Sequence, residues 1–163
     1  MKLTILTGIF GIISLLVVAG CKKSTGSGCK NVSVESEQSM MEAFITSSGM
    51  NATRHNTGMY YQIINPGSTT RPGMLNRVFV KYKGTFFDGK IFDSQTNPGL
   101  TGFQLSTLIE GWKIGIPLIG KGGFIKLVIP SSLAYGCKGS GSGDNAIPAN
   151  TPLYFEIELV DFL

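Results

Sequence analysis

Turn-forming residues divide this chain into short pieces, and that limits its fold more than any other feature. Glycine occupies 22 of 163 positions, about twice its usual share. Charged residues make up only 15%, against an ordinary share of about 25%. So many breakers and so few charges argue against a helical bundle or a coiled coil. An apolar fraction of 42% argues against wholesale disorder, and the length suits about one domain. The formal charge of +4 is small, and no basic run exceeds Lys22-Lys23. The clustered basic face of a nucleic-acid-binding protein is missing, so no nucleic acid is expected as a partner.

The N-terminus reads separately from the rest. Met1-Lys2 is a short basic start, followed by uncharged, mainly aliphatic residues from Leu3 to Val18. As a helix they would span about 24 Å, short of a ~30 Å hydrocarbon core. Basic, apolar and small residues in that order describe an export signal. Val18-Ala19-Gly20-Cys21 resembles the lipobox of bacterial lipoproteins, which implies cleavage before Cys21 and acylation of its sulfur and new amino group. Residues 1–20 are then a signal peptide, and lipidated Cys21 is a membrane anchor, each buried CH₂ contributing about 0.8 kcal/mol. No other segment has the length of apolar residues needed to span a membrane. Cys29 and Cys137 remain as candidates for a disulfide in an oxidising compartment, with two free thiols as the other reading. A bridge would close a loop of roughly a hundred residues, worth about 4.7 kcal/mol in the chain-entropy model.

Lys22 to Gly28 is a flexible polar tether. Ser33 to Ser48 predicts a helix, with Ser33 as cap, Glu35 and Glu37 favourable to the dipole in its first turn, and Gly49 as its stop. Met40, Met41, Phe44 and Ile45 share one helical face, which serves either packing on the body or a homodimer. Asn51 to Thr57 is a polar linker holding the sole histidine, His55. Residues 21–57 are thus tether and helical extension, and 58–163 the main domain.

From Gly58 onward the pattern is strand and turn. Met59 to Ile64 is β-rich and stops at Asn65-Pro66-Gly67. Val78 to Tyr82 is a strand running on towards Phe87, and Asp88-Gly89 turns it into Lys90-Ile91-Phe92. Asp93 to Gly102 reads as a polar loop, Phe103 to Leu105 as a short extended piece, and Leu108 to Ile116 as a brief helix halted by Pro117. Phe124 to Ile129 reads as a strand with Phe124, Lys126 and Val128 opposite Ile125, Leu127 and Ile129, and Leu153 to Phe162 alternates Phe155, Ile157 and Leu159 inward with Glu156 and Glu158 outward. Between them Pro130 to Pro148 is a long loop in which Gly139, Gly141 and Gly143 supply flexibility. Five or six strands and one short central helix predict an α+β fold, an antiparallel sheet half-wrapped around that helix.

Several chemistries are excluded. The only histidine lies outside the β-rich body, which removes Ser-His and Cys-His hydrolases. No phosphate-binding GxxxxGK[ST] loop occurs. No Cys/His ligand spacing occurs, so no metal and no cofactor are expected. What the chain offers is a set of aromatic residues at segment ends: Tyr82, Phe92, Phe103, Trp112, Tyr135 and Phe155, with Asp93 directly after Phe92. A short helix carrying the sole tryptophan under a sheet can line an apolar pocket with a few polar tips, the usual form of a small-molecule or peptide site.

The motifs then become specific. Val80-Lys81-Tyr82-Lys83-Gly84 followed by Asp88-Gly89-Lys90-Ile91-Phe92-Asp93-Ser94 resembles the opening of an FKBP-type peptidyl-prolyl cis-trans isomerase. Phe103-Gln104-Leu105 with Leu108-Ile109-Glu110-Gly111-Trp112 resembles the pocket floor of that family. Ile129-Pro130 through Leu133-Ala134-Tyr135-Gly136 resembles its next motif. Ile147-Pro148-Ala149-Asn150, Leu153 and Phe155 to Leu159 resemble its last strand. The motifs keep family order over residues 71–163. The leader and extension resemble those of lipoprotein members in Gram-negative bacteria, above all the Bacteroidetes type, and Lys22 after the acylated Cys21 is compatible with the outer membrane.

The resemblance implies an isomerase domain over 58–163 that rotates X-Pro bonds and assists the folding of exported proteins from a lipid anchor facing the periplasm. It implies proline-containing polypeptides as substrates and macrolides as inhibitors. It assigns catalysis to Asp93, Tyr135, Trp112 and Phe92, and substrate binding to Tyr82, Phe103, Leu108, Ile109, Ile147 and Phe155. Trp112 would floor the site under the prolyl ring. The Tyr135 hydroxyl and the Ile109 backbone N–H would hold substrate carbonyls. Leu108 stands where valine is common, and the loop after Tyr135 is longer than in compact members and carries Cys137. A prolyl-peptide-binding module or chaperone without turnover is the alternative.

Overall fold

The computed structural model describes residues 28–99 and 102–163. The leader, the lipobox and the lipidation site expected at Cys21 lie outside them. In chain order the elements are α1 (Val34–Ser47), β1 (Thr53–Arg54), β2 (Tyr60–Asn65), β3 (Arg77–Thr85), β4 (Ile91–Gln95), β5 (Phe103–Gln104), α2 (Glu110–Gly115), β6 (Gly123–Ile129) and β7 (Leu153–Phe162). The strands form one antiparallel sheet in the order β1-β2-β6-β7-β3-β4, with β5 paired to the start of β3. This is the α+β arrangement the sequence predicts, a sheet half-wrapped around the short helix α2.

The cleanest alternation builds the middle of the sheet. In β6 and β7, Ile125 lies opposite Ile157, Leu127 opposite Phe155 and Ile129 opposite Leu153. All six are buried on the inner face, against α2. β3 adds Val78 and Val80 to the same face despite a bulge between Phe79 and Val80. α2 approaches β6 very closely. A Cβ on Gly111 would sit 2.5 Å from the Ile129 side chain, and one on Gly115 would sit 2.6 Å from Leu127. The pair lies four residues apart, on one face of the helix, and lets the backbone lie almost directly on the strand.

The outer face carries α1. Ser33 caps it, accepting from the Ser36 N–H at 3.3 Å, and Gly49 follows its end with φ +65°, as expected of a C′ glycine. Met41 is fully buried there with Met50, Tyr60, Val128 and Tyr154. Phe44 stacks on Phe87 at 4.4 Å between ring centroids. The apolar face of α1 is therefore used inside the molecule. Met40 is the exception, half exposed, because it sits one residue, about 100°, round the helix from Met41. Glu37, one turn before Met41, takes the buried position instead.

Four local readings change. The Asn51–Thr57 linker contains β1, which pairs Thr53 and Arg54 with Tyr61 and Tyr60, so the sheet begins before residue 58. β4 continues through Asp93, Ser94 and Gln95, because their backbone pairs with Gly84, Lys83 and Tyr82 while the polar side chains of an edge strand face water. The central α-helix does end before Pro117, at Gly115, but it begins at Glu110 rather than Leu108, and a 3₁₀ turn, Ile116–Leu118, follows it directly with Pro117 in its first turn, where the missing N–H costs nothing. The Pro130–Pro148 loop is not loose. It holds three 3₁₀ turns and a bridge between Ser140 and Ile147, and Cys137 is disulfide-bonded to Cys29, 108 residues earlier.

Candidate active site

Close packing of α2 turns Trp112 into the sheet. Its ring is 5% exposed and meets Tyr82 and Phe155 edge-on, at centroid distances of 5.0 and 5.3 Å. Phe92 backs Phe155 edge-on at 5.4 Å. Edge-to-face contacts of this kind each add about 0.5–1.5 kcal/mol beyond burial. The cluster needs space on β3, and Gly84 provides it: a Cβ there would lie 2.6 Å from Phe92 and 2.8 Å from Phe155.

Above the indole is a cavity of about 170 Å³. Trp112 is its floor. Tyr82, Phe103 and Phe155 are aromatic walls, Leu108 and Ile109 line the side at the start of α2, and Asp93 and Tyr135 stand at the mouth. Eight of the ten residues expected at the site are thus brought together. Phe92 and Ile147 fall outside the lining; both are buried at 8% exposure in the surrounding core. Phe92 packs edge-on against the Phe155 wall, and Ile147 sits in a bridge with Ser140.

The rim is polar in a selective way. The Tyr82 hydroxyl donates to Asp93 Oδ2 at 2.7 Å. Burial first, then that bond and the Asp93 charge, push the Tyr82 hydroxyl well above its ordinary value. Burial, with the Asp93 charge second, pushes the Tyr135 hydroxyl up as well. Both phenols are therefore protonated donors at neutral pH. The Tyr82 proton is already committed. The Tyr135 hydroxyl and the Ile109 backbone N–H have no acceptor among the described residues, and neither does the buried Trp112 Nε1. The indole N–H is buried, and a buried unpaired donor costs about 1–3 kcal/mol; the Tyr135 and Ile109 donors are only partly buried and open to the cavity, so the three together mark a place built for something other than packing.

Sequence reasoning did not single out the spacers. Gly84 interrupts a strand, and Gly111 and Gly115 interrupt a helix, each a position where glycine normally weakens the element. That misfit was the available signal of close approach. Glu37 stands in the first turn of α1 and also, four residues before Met41, on its buried face.

Comparison with known proteins agrees with this geometry. A family model described as FKBP-type peptidyl-prolyl cis-trans isomerase matches residues 68–160. The chain is 45% identical over 106 residues to the FKBP-type peptidyl-prolyl cis-trans isomerase FkpA of Escherichia coli (strain K12), covering 64% of this chain and 38% of that protein. It is 33% identical over 150 residues to a probable FKBP-type peptidyl-prolyl cis-trans isomerase of Haemophilus influenzae, covering 91% of this chain and 60% of that one. The crystal structure of E. coli FkpA superposes with a TM-score of 0.67 at 38% identity, over 80% of this chain and 59% of the other. A peptidyl-prolyl cis-trans isomerase from Pseudomonas syringae pv. tomato superposes with a TM-score of 0.64 at 33% identity, over 82% and 98%. This chain spans 38% of the length of the E. coli FkpA it matches.

Proposed function

This chain belongs to the FKBP-type peptidyl-prolyl cis-trans isomerase family, and we propose that its Trp112-floored cavity catalyses rotation about X-Pro peptide bonds in exported proteins. The observation that carries this reading is the combination of an apolar aromatic cavity with unpaired donors at its mouth.

The reaction breaks no bond, so it needs no nucleophile, metal or cofactor. Its barrier of about 18–20 kcal/mol is the loss of amide resonance in the twisted state. The planar form separates charge and is favoured by water. A prolyl ring seated on Trp112, between Tyr82, Phe103 and Phe155, leaves that water behind. The Ile109 N–H and the Tyr135 hydroxyl hold the carbonyls that flank the ring, at fixed positions and with little reorganisation. Asp93 fixes the Tyr82 hydroxyl and faces the polar backbone of the substrate. Phe92 holds Phe155 in place, and Ile147 anchors the loop beyond Tyr135.

The N-terminal residues support a lipoprotein of the Bacteroidetes type, anchored through Cys21 in the outer membrane and facing the periplasm. The Cys29–Cys137 disulfide fits an oxidising compartment. Proline-containing polypeptides are the substrates, and macrolides that fill an apolar, aromatic-walled cavity are the inhibitors to try.

A protease-coupled isomerisation assay on the full-length chain in detergent tests the activity, with Asp93→Ala alongside. The expected result is a rate rise proportional to enzyme, reduced on the order of tenfold in the variant. No rise from a folded chain that still binds a prolyl peptide would replace the enzyme with a binding module.

A further inference from the structure

Tyr135 is placed by a segment that lies outside the part of the chain matched to the family. The loop that carries it is gripped on both sides by residues 29–37. Before Tyr135, the Ser131 N–H donates to Glu37 Oε2 on α1 at 2.8 Å, a bond between residues 94 apart. After it, Cys137 is disulfide-bonded to Cys29, and the Cys137 N–H donates to Asn31 Oδ1 at 2.8 Å. Gly136 lies so close beneath that a Cβ there would sit 2.4 Å from Asn31 Oδ1.

Asn150 ties the two parts together. Its Oδ1 accepts the Val32 N–H at 3.3 Å, and its own N–H donates to the Gly136 carbonyl at 2.8 Å. It is the one non-glycine residue with positive φ, +53°, among the described residues. Held conformations of this sort persist where surrounding contacts over-determine them.

Glu37 is the least expected member. It is 4% exposed, and its other oxygen, Oε1, is buried without a partner, as is Ser131 Oγ. An apolar side chain there would fill the space without the cost of burying a carboxyl group. What only an acceptor can do is capture the Ser131 amide in the turn that follows β6, four residues before the phenol at the cavity mouth.

We propose that Glu37 is a positioning residue for the isomerase: through the Ser131 amide, and together with the Cys29–Asn31 clamp on Gly136–Cys137, it sets where the Tyr135 hydroxyl meets the substrate carbonyl. The inference rests on the isomerase reading above.

A double-mutant cycle in the full-length chain in detergent tests it. Turnover of a proline tetrapeptide is measured for wild type, Glu37→Ala, Glu37→Gln, Tyr135→Phe and the Glu37→Ala/Tyr135→Phe pair, alongside amide exchange at Ser131 and Cys137. Glu37→Ala should raise KM on the order of tenfold, as expected for a misplaced contact. Glu37→Gln keeps an acceptor oxygen and should recover most of that loss. Tyr135→Phe should cost less in the Glu37→Ala background than in wild type. Additive losses, or Glu37→Gln no better than Glu37→Ala, would overturn the proposal. If Glu37→Ala does not fold, the same cycle run on Glu37→Gln decides, with coupling to Tyr135→Phe as the criterion. If wild type itself shows no turnover, the isomerase reading fails and exchange decides the placement: faster exchange at Ser131 and Cys137 in Glu37→Ala supports it, unchanged exchange rejects it.

Discussion

The two faces of the sheet obey different packing rules. On the inner face a helix of six residues lies so close to β6 that only glycine fits at positions 111 and 115. Polar groups there, the Ile109 amide, the Tyr135 hydroxyl and the Trp112 indole N–H, stay unpaired. On the outer face a helix of 14 residues sits on Met41, Tyr60, Val128 and Tyr154, and its polar neighbours find partners. Tyr60 donates to Glu42 at 2.7 Å, Tyr154 to Glu156 at 2.9 Å, and Lys83 pairs with Glu156 at 2.8 Å. The inner face keeps hydrogen-bonding capacity for a ligand; the outer face uses its own up. The exceptions on the outer side, Glu37 Oε1 and Ser131 Oγ, lie where α1 meets the turn that follows β6.

That contrast can be broken from either side. Trp112→Ala should have the largest effect, removing about 3–5 kcal/mol of stability and most of kcat/KM in the protein that remains folded. Denaturant unfolding and the isomerisation assay read the two losses, and a folded variant with wild-type turnover would remove Trp112 from the site. Met41→Ala should cost about 2–5 kcal/mol with kcat/KM unchanged below its unfolding transition. A large fall in turnover there would show that the faces are not separable.

The smallest expected effect is on pH dependence. The Tyr82 and Tyr135 hydroxyls are held above their ordinary value of 10.0, so kcat/KM should show no tyrosine ionisation between neutral pH and about pH 10. Their contribution to stability is complete below the unfolded value and is lost as pH rises beyond it, because the unfolded chain releases those protons first. The outer face titrates at the other end. Burial pushes the Glu156 carboxyl up, but hydrogen bonds from Lys83 and Tyr154 and the charges of Lys83 and Lys126 outweigh it and leave it below its ordinary value. Its contribution is present above pH 4.5 and is lost as pH falls. Thermal melts across pH check both signs.

The sheet was legible because every second residue of its central strands packs on the inner core, as Ile125, Leu127 and Ile129 do. β1 and the end of β4 were not, since backbone pairing, not side-chain pattern, decides edge positions such as Arg54 and Ser94. The cavity residues were legible as motifs in order. Phe92 and Ile147 lie in the core around the cavity, and motif order does not tell which face of such a side chain a ligand would meet. Of the clamp from residues 29–37, the Cys29–Cys137 pair was legible as a candidate disulfide; the bonds of Asn31, Val32 and Glu37 were hidden, because they join positions roughly a hundred residues apart and run through backbone amides, which leave no pattern in composition.

The place of β7 in the sheet governs how this chain reaches its native state. Among the described residues β7 comes last of the strands in chain order, yet it lies between β6 and β3, where it pairs along its length with both. Until residue 162 has emerged, β1-β2-β6 and β3-β4 are two half-sheets with no hydrogen-bonded bridge, each exposing an unpaired edge. Closing the sheet then waits on β7, and its slow step is the long-range pairing of that strand into a gap between two formed halves.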